Sequence, residues 1–154
     1  MQSALFIGRF QPFHKGHLAV CEKILSENGQ LIIAIGSSQE SGTEQNPYTF
    51  EQRKSFIEAA LKGHKNFSIH AVPDINDYPN WVAHLNKHVP HYDRVYTGSD
   101  IIKFCFKDFD TPIVDIPERH LQIEANKIRQ KTAIKDDSWK EDLPSAVASL
   151  IEKN

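Results

Sequence analysis

Cysteine is scarce in this chain: Cys21 and Cys105 are the only two in 154 residues. A disulfide framework is therefore not what holds the fold. Cys21 also falls on the apolar face of a helical pattern, so two free thiols in a reducing compartment is the economical reading. An excess of either charge is also lacking. Eighteen Lys and Arg against 20 Asp and Glu leave a net charge of -2. No global field draws in nucleic acid or a membrane surface, neither is expected as a partner, and basic groups must act locally. No apolar run approaches the roughly 20 residues of a membrane span. Met1-Gln2-Ser3 leads straight into the first apolar run, without the charged and apolar regions of a secretory leader. A cytoplasmic location is expected. Internal repeats, low-complexity segments and linkers are absent too. The length suits one core and is short for two, which predicts one domain over 1–154.

What is present is concentrated near the start. Ala4-Leu5-Phe6-Ile7 reads as a short buried strand. Leu18, Cys21, Ile24 and Leu25 recur at helical spacing, which predicts a helix beginning near His17. Between them lies Gly8-Arg9-Phe10-Gln11-Pro12-Phe13-His14-Lys15-Gly16-His17. A strand that delivers such a loop to a helix N-terminus turns backbone N–H groups and the helix dipole toward a bound anion. Arg9, Lys15, His14 and His17 add side-chain donors. The bland alternative makes His14 a loop cap and His17 a surface residue. The strand, helix and arginine around the HxGH spacing favour phosphate.

The remaining pattern alternates. Gln30–Ile35, Phe67–Val72, Arg94–Thr97 and Ile113–Ile116 read as further strands. Helices are predicted after Thr49-Phe50-Glu51-Gln52, which has capping-box spacing, after Pro79-Asn80, over about Glu124–Lys131, and from Leu143-Pro144 onward, with the proline in the first turn. Short strands alternating with helices predict an α/β fold, a parallel sheet with helices on both faces. Ligands then gather at the carboxyl ends of the strands. The loops after Ile7, Ile35, Val72 and Thr97, with the one before Glu124, are expected to converge. Thr132–Asp142 is polar and reads as a mobile connection. His84 and His88, at i,i+4 with His91 nearby, lack a further ligand, so a half-exposed helix face is preferred to a zinc site.

The segment GRFQPFHKGH resembles the HxGH nucleotidyltransferases, and more narrowly the archaeal-type nicotinamide-nucleotide adenylyltransferases. Gly36-Ser37-Ser38-Gln39-Glu40-Ser41 and Asn46-Pro47-Tyr48-Thr49 through Arg53 resemble that family's GSxQxS…NPFTxxER segment. Val72-Pro73-Asp74-Ile75 resembles its VPDI, and Trp81-Val82-Ala83-His84 its WVxH. The resemblance implies a Rossmann-like domain that joins nicotinamide mononucleotide to the AMP part of ATP, giving NAD and pyrophosphate. It implies Mg²⁺ brought with ATP and held mainly through phosphates, with no protein metal site, and a homo-oligomer. His14, His17 and Arg129 would be catalytic. Gly8, Arg9, Phe10, Lys15, Gly98, Ser99, Asn126 and Ile128 would bind ATP, and Ser37, Gln39, Asp74 and Trp81 the pyridine nucleotide.

The chain departs from the family's S-x-T-x-[IV]-R at Glu124-Ala125-Asn126-Lys127-Ile128-Arg129. A carboxylate suits a helix N-terminus but repels a triphosphate, by about 1 kcal/mol at 4 Å in water-like surroundings. Two alternatives stay open: an adenylyl- or cytidylyltransferase for another phosphorylated acceptor, and a nucleotide-binding sensor that has lost turnover.

Overall fold

A computed structural model describes residues 2–153 of the chain. Its elements run β1 (Ser3–Gly8), α1 (Lys15–Glu27), β2 (Gln30–Ile35), α2 (Phe50–Ala60), β3 (Phe67–Ala71), α3 (Trp81–His88), β4 (Arg94–Thr97), α4 (Asp100–Cys105), β5 (Ile113–Asp115), α5 (Ala125–Ala133) and α6 (Ser145–Glu152). The five strands form one sheet of order β3-β2-β1-β4-β5, and every pairing is parallel. Parallel neighbours need crossovers, and helices supply them here. The Rossmann-like α/β architecture is therefore the observed one.

Side chains alternate across the sheet with period two. Ala4, Phe6, Leu31, Ile33 and Ile35 face one core, with Val20, Cys21 and Ile24 of α1, Phe56 and Ile57 of α2, Ile128 of α5 and Val147 and Ile151 of α6. Leu5, Ile32, Ala34 and Val95 face the other, with Val82 and Leu85 of α3 and Phe106 just after α4. Helices therefore cover both faces. Each fully buried Leu or Ile contributes about 1.5–3 kcal/mol. α2 starts on the Thr49–Gln52 capping box, each side chain accepting from the other's backbone N–H.

Some boundaries differ from expectation. α1 begins at Lys15 because His14 caps it. α4 was not predicted, since its apolar residues Ile101 and Phe104 face solvent and leave no amphipathic stripe. Pro144 is the N-cap of α6 and lies outside its first turn. Thr132–Asp142 is not a mobile connection: α5 extends to Ala133 and a 3₁₀ turn follows at Asp137–Asp142. Trp139 of that turn is 7% exposed and belongs to the first core, which docks the segment. No helix among the described residues is long and apolar enough to cross a membrane.

Candidate active site at the carboxyl ends of the strands

β1 ends at Gly8, and the next six residues turn the chain into α1. A side chain at Gly8 would meet the Phe10 ring, which a built Cβ places 3.0 Å away. Phe10 is buried against Phe6 and Phe13 and meets the His17 ring edge-on at 4.8 Å. His14 Nδ1 accepts from the His17 N–H (3.3 Å), and His17 Nδ1 accepts from the His14 N–H (3.1 Å). The two imidazoles thus form a reciprocal cap and stack, centroids 3.6 Å apart and 16° from parallel. With both Nδ1 atoms accepting, the proton of each neutral ring lies on Nε2. Burial pulls the His14 pKa from 6.5 to about 4. Burial, then the neighbouring His14, hold His17 well below 6.5. At neutral pH the pair offers two neutral Nε2–H donors. His14 does cap the loop, and capping is what fixes both rings.

Gly16 is small for a separate reason. A Cβ there would lie 2.6 Å from the His120 carbonyl oxygen, so the chain after β5 presses directly on the start of α1. A cavity of about 330 Å³ opens beside this contact, lined by His14, His17, Gly98, Ser99, His120 and Leu121 among others. The Ser99 hydroxyl accepts from the Ile102 N–H and caps α4. Gly98 makes room for Leu121, whose Cδ1 would lie 3.0 Å from an added Cβ. The loops after β1 and β4 and the chain before α5 therefore meet, as expected.

A second cavity of about 680 Å³ lies between α5 and the loop after β2, lined by Arg9, Glu44, Gln45, Glu124, Asn126 and Arg129 among others. Arg129 Nη1 donates to the Gln11 carbonyl (2.8 Å), and Arg9 Nη1 to Asn46 Oδ1 (3.3 Å). Burial and the nearby Arg9 lower the Arg129 pKa. Among the described residues neither guanidinium has a carboxylate partner. Two guanidiniums free of ion pairs beside a helix N-terminus can bind a polyanion, with the Glu44 and Glu124 carboxylates on the same cavity wall. Glu124 is the N-cap of α5 but makes no side-chain cap; its Oε2 lies 2.8 Å from Lys127 Nζ. Lys127 thus partly offsets the Glu124 charge at the cavity wall.

On the other flank, Asp74 follows β3 and is held by the loop after β2. Ser37 Oγ donates to Asp74 Oδ1 (3.1 Å) and Gln39 Nε2 to Oδ2 (3.0 Å), while Gln39 Oε1 accepts from the Asp74 N–H (3.1 Å). Three of the four residues assigned to the pyridine nucleotide are thereby brought together. Trp81, half-buried at the start of α3, shares none of these hydrogen bonds and lies edge-on to Phe106 at 6.4 Å. His84 Nε2 bonds the Pro73 carbonyl at 2.7 Å, tying α3 to the same strand end.

Two expectations are corrected. Lys15 does not join the anion loop: its Nζ reaches back to the Glu141 carbonyl at 2.7 Å and ties α1 to the 3₁₀ turn. Ile128 is 1% exposed in the first core, because it lies on the inward face of α5. Its side chain packs and cannot touch a ligand. Gln11 was missed. It is buried and clamps Tyr48, each side chain amide atom bonding Tyr48 backbone at 3.0 Å. Nothing in a glutamine beside a proline signals that.

Imidazole donors and unpaired guanidiniums at the open end of a parallel sheet can bind and polarise a polyphosphate, which puts this α/β fold in the nucleotidyltransferase class. The chain belongs to the cytidylyltransferase-like family, whose model matches residues 5–131, and within it to the nicotinamide-nucleotide adenylyltransferases. It is 38% identical over 154 residues to the nicotinamide-nucleotide adenylyltransferase of Picrophilus torridus, covering 97% of this chain and 90% of that one. With the enzyme of the same name from Ignicoccus hospitalis it shares 39% over 158 residues, covering 97% and 91%. Among solved structures it resembles a bifunctional NMN adenylyltransferase/ADP ribose pyrophosphatase from Francisella tularensis, complexed with AMP and a manganese ion. The TM-score is 0.66 and the identity 30%, over 85% of this chain. The chain spans only 41% of that bifunctional protein's length.

Proposed function

We propose that this chain joins nicotinamide mononucleotide to the AMP part of ATP within one cytoplasmic domain. An oxygen of the acceptor's 5′-phosphate attacks the α-phosphorus of ATP. The bond from that phosphorus to the α,β-bridging oxygen breaks, and pyrophosphate leaves with the electron pair. The attacking phosphate is already anionic, so the protein need supply no general base. Its task is alignment and charge stabilisation.

His14 and His17 donate from Nε2 to the α-phosphate and bridging oxygens, where charge builds in the transition state. Arg9 and Arg129 hold the outer phosphates, with Asn126 and the open N-terminus of α5. Gly8, Phe10, Gly98 and Ser99 shape the cleft around the nucleotide. Ser37, Gln39 and Asp74 receive the pyridine nucleotide, and Trp81 offers an aromatic face to its cationic ring.

The described residues contain no group of three or more His, Cys, Asp or Glu placed to hold a metal. Mg²⁺ would therefore arrive on the triphosphate, held chiefly by phosphate oxygens and water, and Glu44, which lines the larger cavity, would offer a hard oxygen to one of those waters. Such an ion neutralises phosphate charge.

The observation that carries this reading is the stacked imidazole pair, each Nδ1 engaged and each Nε2 left to donate, beside two arginines without carboxylates. The test is pyrophosphate release with Mg²⁺ and each nucleoside triphosphate and acceptor in turn. ATP with nicotinamide mononucleotide is expected to give NAD. Turnover with CTP alone would point to the cytidylyl reading, and tight NAD binding without turnover to a sensor.

A further inference from the structure

Arg53, on α2, is fully buried and has no carboxylate partner among the described residues. A buried charge of this kind costs several kcal/mol unless polar groups surround it. Backbone carbonyls do so here. Nε donates to Thr49 (3.2 Å), Nη1 to Arg9 and Gly36 (3.0 Å each), and Nη2 to Ser37 (3.2 Å) and Glu40 (3.3 Å). One planar fork thus grips the strand ends after β1 and β2 together.

The peptides gripped by Nη1 are the ones that precede Phe10 and Ser37. Both residues are left-handed, with φ of 54° and 48°, a region unfavourable to a non-glycine residue that persists only when the surroundings impose it. In a planar trans peptide the N–H points opposite to the C=O. The N–H groups of Phe10 and Ser37 therefore point away from Arg53, and neither finds an acceptor among the described residues. Backbone N–H groups left without an acceptor in this way are donors available to an anion.

We propose that Arg53 is a positioning residue for the transfer: by holding the Arg9 and Gly36 carbonyls it turns the Phe10 and Ser37 amides toward the two substrates and keeps their subsites in register. The inference rests on the adenylyltransferase reading, and its test separates the two. Arg53→Lys keeps the charge but presents one nitrogen where the guanidinium presents three. In ¹⁵N-labelled wild type, the Phe10 amide proton is expected to move downfield with Mg²⁺-ATP and the Ser37 amide proton with nicotinamide mononucleotide. In Arg53→Lys both shifts are expected to disappear, and kcat per folded molecule to fall about 10²-fold, the cost of misaligned reactants. Wild-type amides indifferent to ligand would overturn the proposal. So would Arg53→Lys activity within threefold of wild type per folded molecule, since only bulk and charge would then matter. Should the variant not fold, the wild-type spectra decide alone. Wild type that binds both ligands yet makes no NAD would defeat the functional reading and leave the amide test intact.

Discussion

At the level of single residues the site depends on rings held by their own backbone. Removing the His17 ring deletes one donor at the developing charge. We expect His17→Ala to lower kcat by about 10²–10³ with a smaller change in KM, read by steady-state pyrophosphate release. Gly16→Ala tests the opposite fault, an added group. Its Cβ would meet the His120 carbonyl, so the start of α1 must move and carry both imidazoles with it. A kcat loss of at least tenfold is expected, together with a lower Tm. Glu124→Ser removes a carboxylate that Lys127 partly neutralises and that is half exposed. Its effect on ATP KM is therefore expected to be small, at most about threefold, because exposed pairs are worth about 0–1 kcal/mol. A large gain in activity would revive the sensor reading.

Elements show how much of this was legible in the sequence. β2, β4 and the Thr49 cap follow directly from hydrophobic runs and spacing, because those signals are local and the strands are buried on both faces. The turn from β1 into α1 is legible for the same reason: the HxGH residues that cap the helix are neighbours in the chain. Arg53 stood in plain view without its role, since six carbonyls from three segments define that role only after folding. Lys15 misled because charge at a loop says nothing of direction. The Thr132–Asp142 segment misled because one aromatic ring outweighed eight polar neighbours in fixing where it lies. Trp139→Ala accordingly is expected to cost about 3–5 kcal/mol, measured by urea unfolding. A mobile connection would lose almost nothing.

For the whole molecule, acid sensitivity follows from the stacked imidazoles, His14 buried and His17 half-buried. The folded state holds His14 near 4 where the unfolded chain has 6.5, and His17 is lowered in the same direction. Between those values the unfolded chain binds more protons, so stability falls as pH drops from about 6.5 toward 4 and is intact above that window. For His14 the full loss is about 3 kcal/mol. Asp93 and Asp136, whose pKa values are lowered by hydrogen bonds, act only at more acid pH. The urea midpoint is expected to drop between pH 7 and pH 5, and His14→Asn, which keeps a capping acceptor, to flatten that dependence.

The sheet order β3-β2-β1-β4-β5 puts β1 in the middle. Chain connections run outward from it in opposite directions, so the loop after β1 has one neighbourhood on its left and another on its right. A bond made between two molecules must form where those neighbourhoods meet. Successors of this fold can therefore trade one incoming partner for another by rewriting a single flank, while the central turn stays as it is.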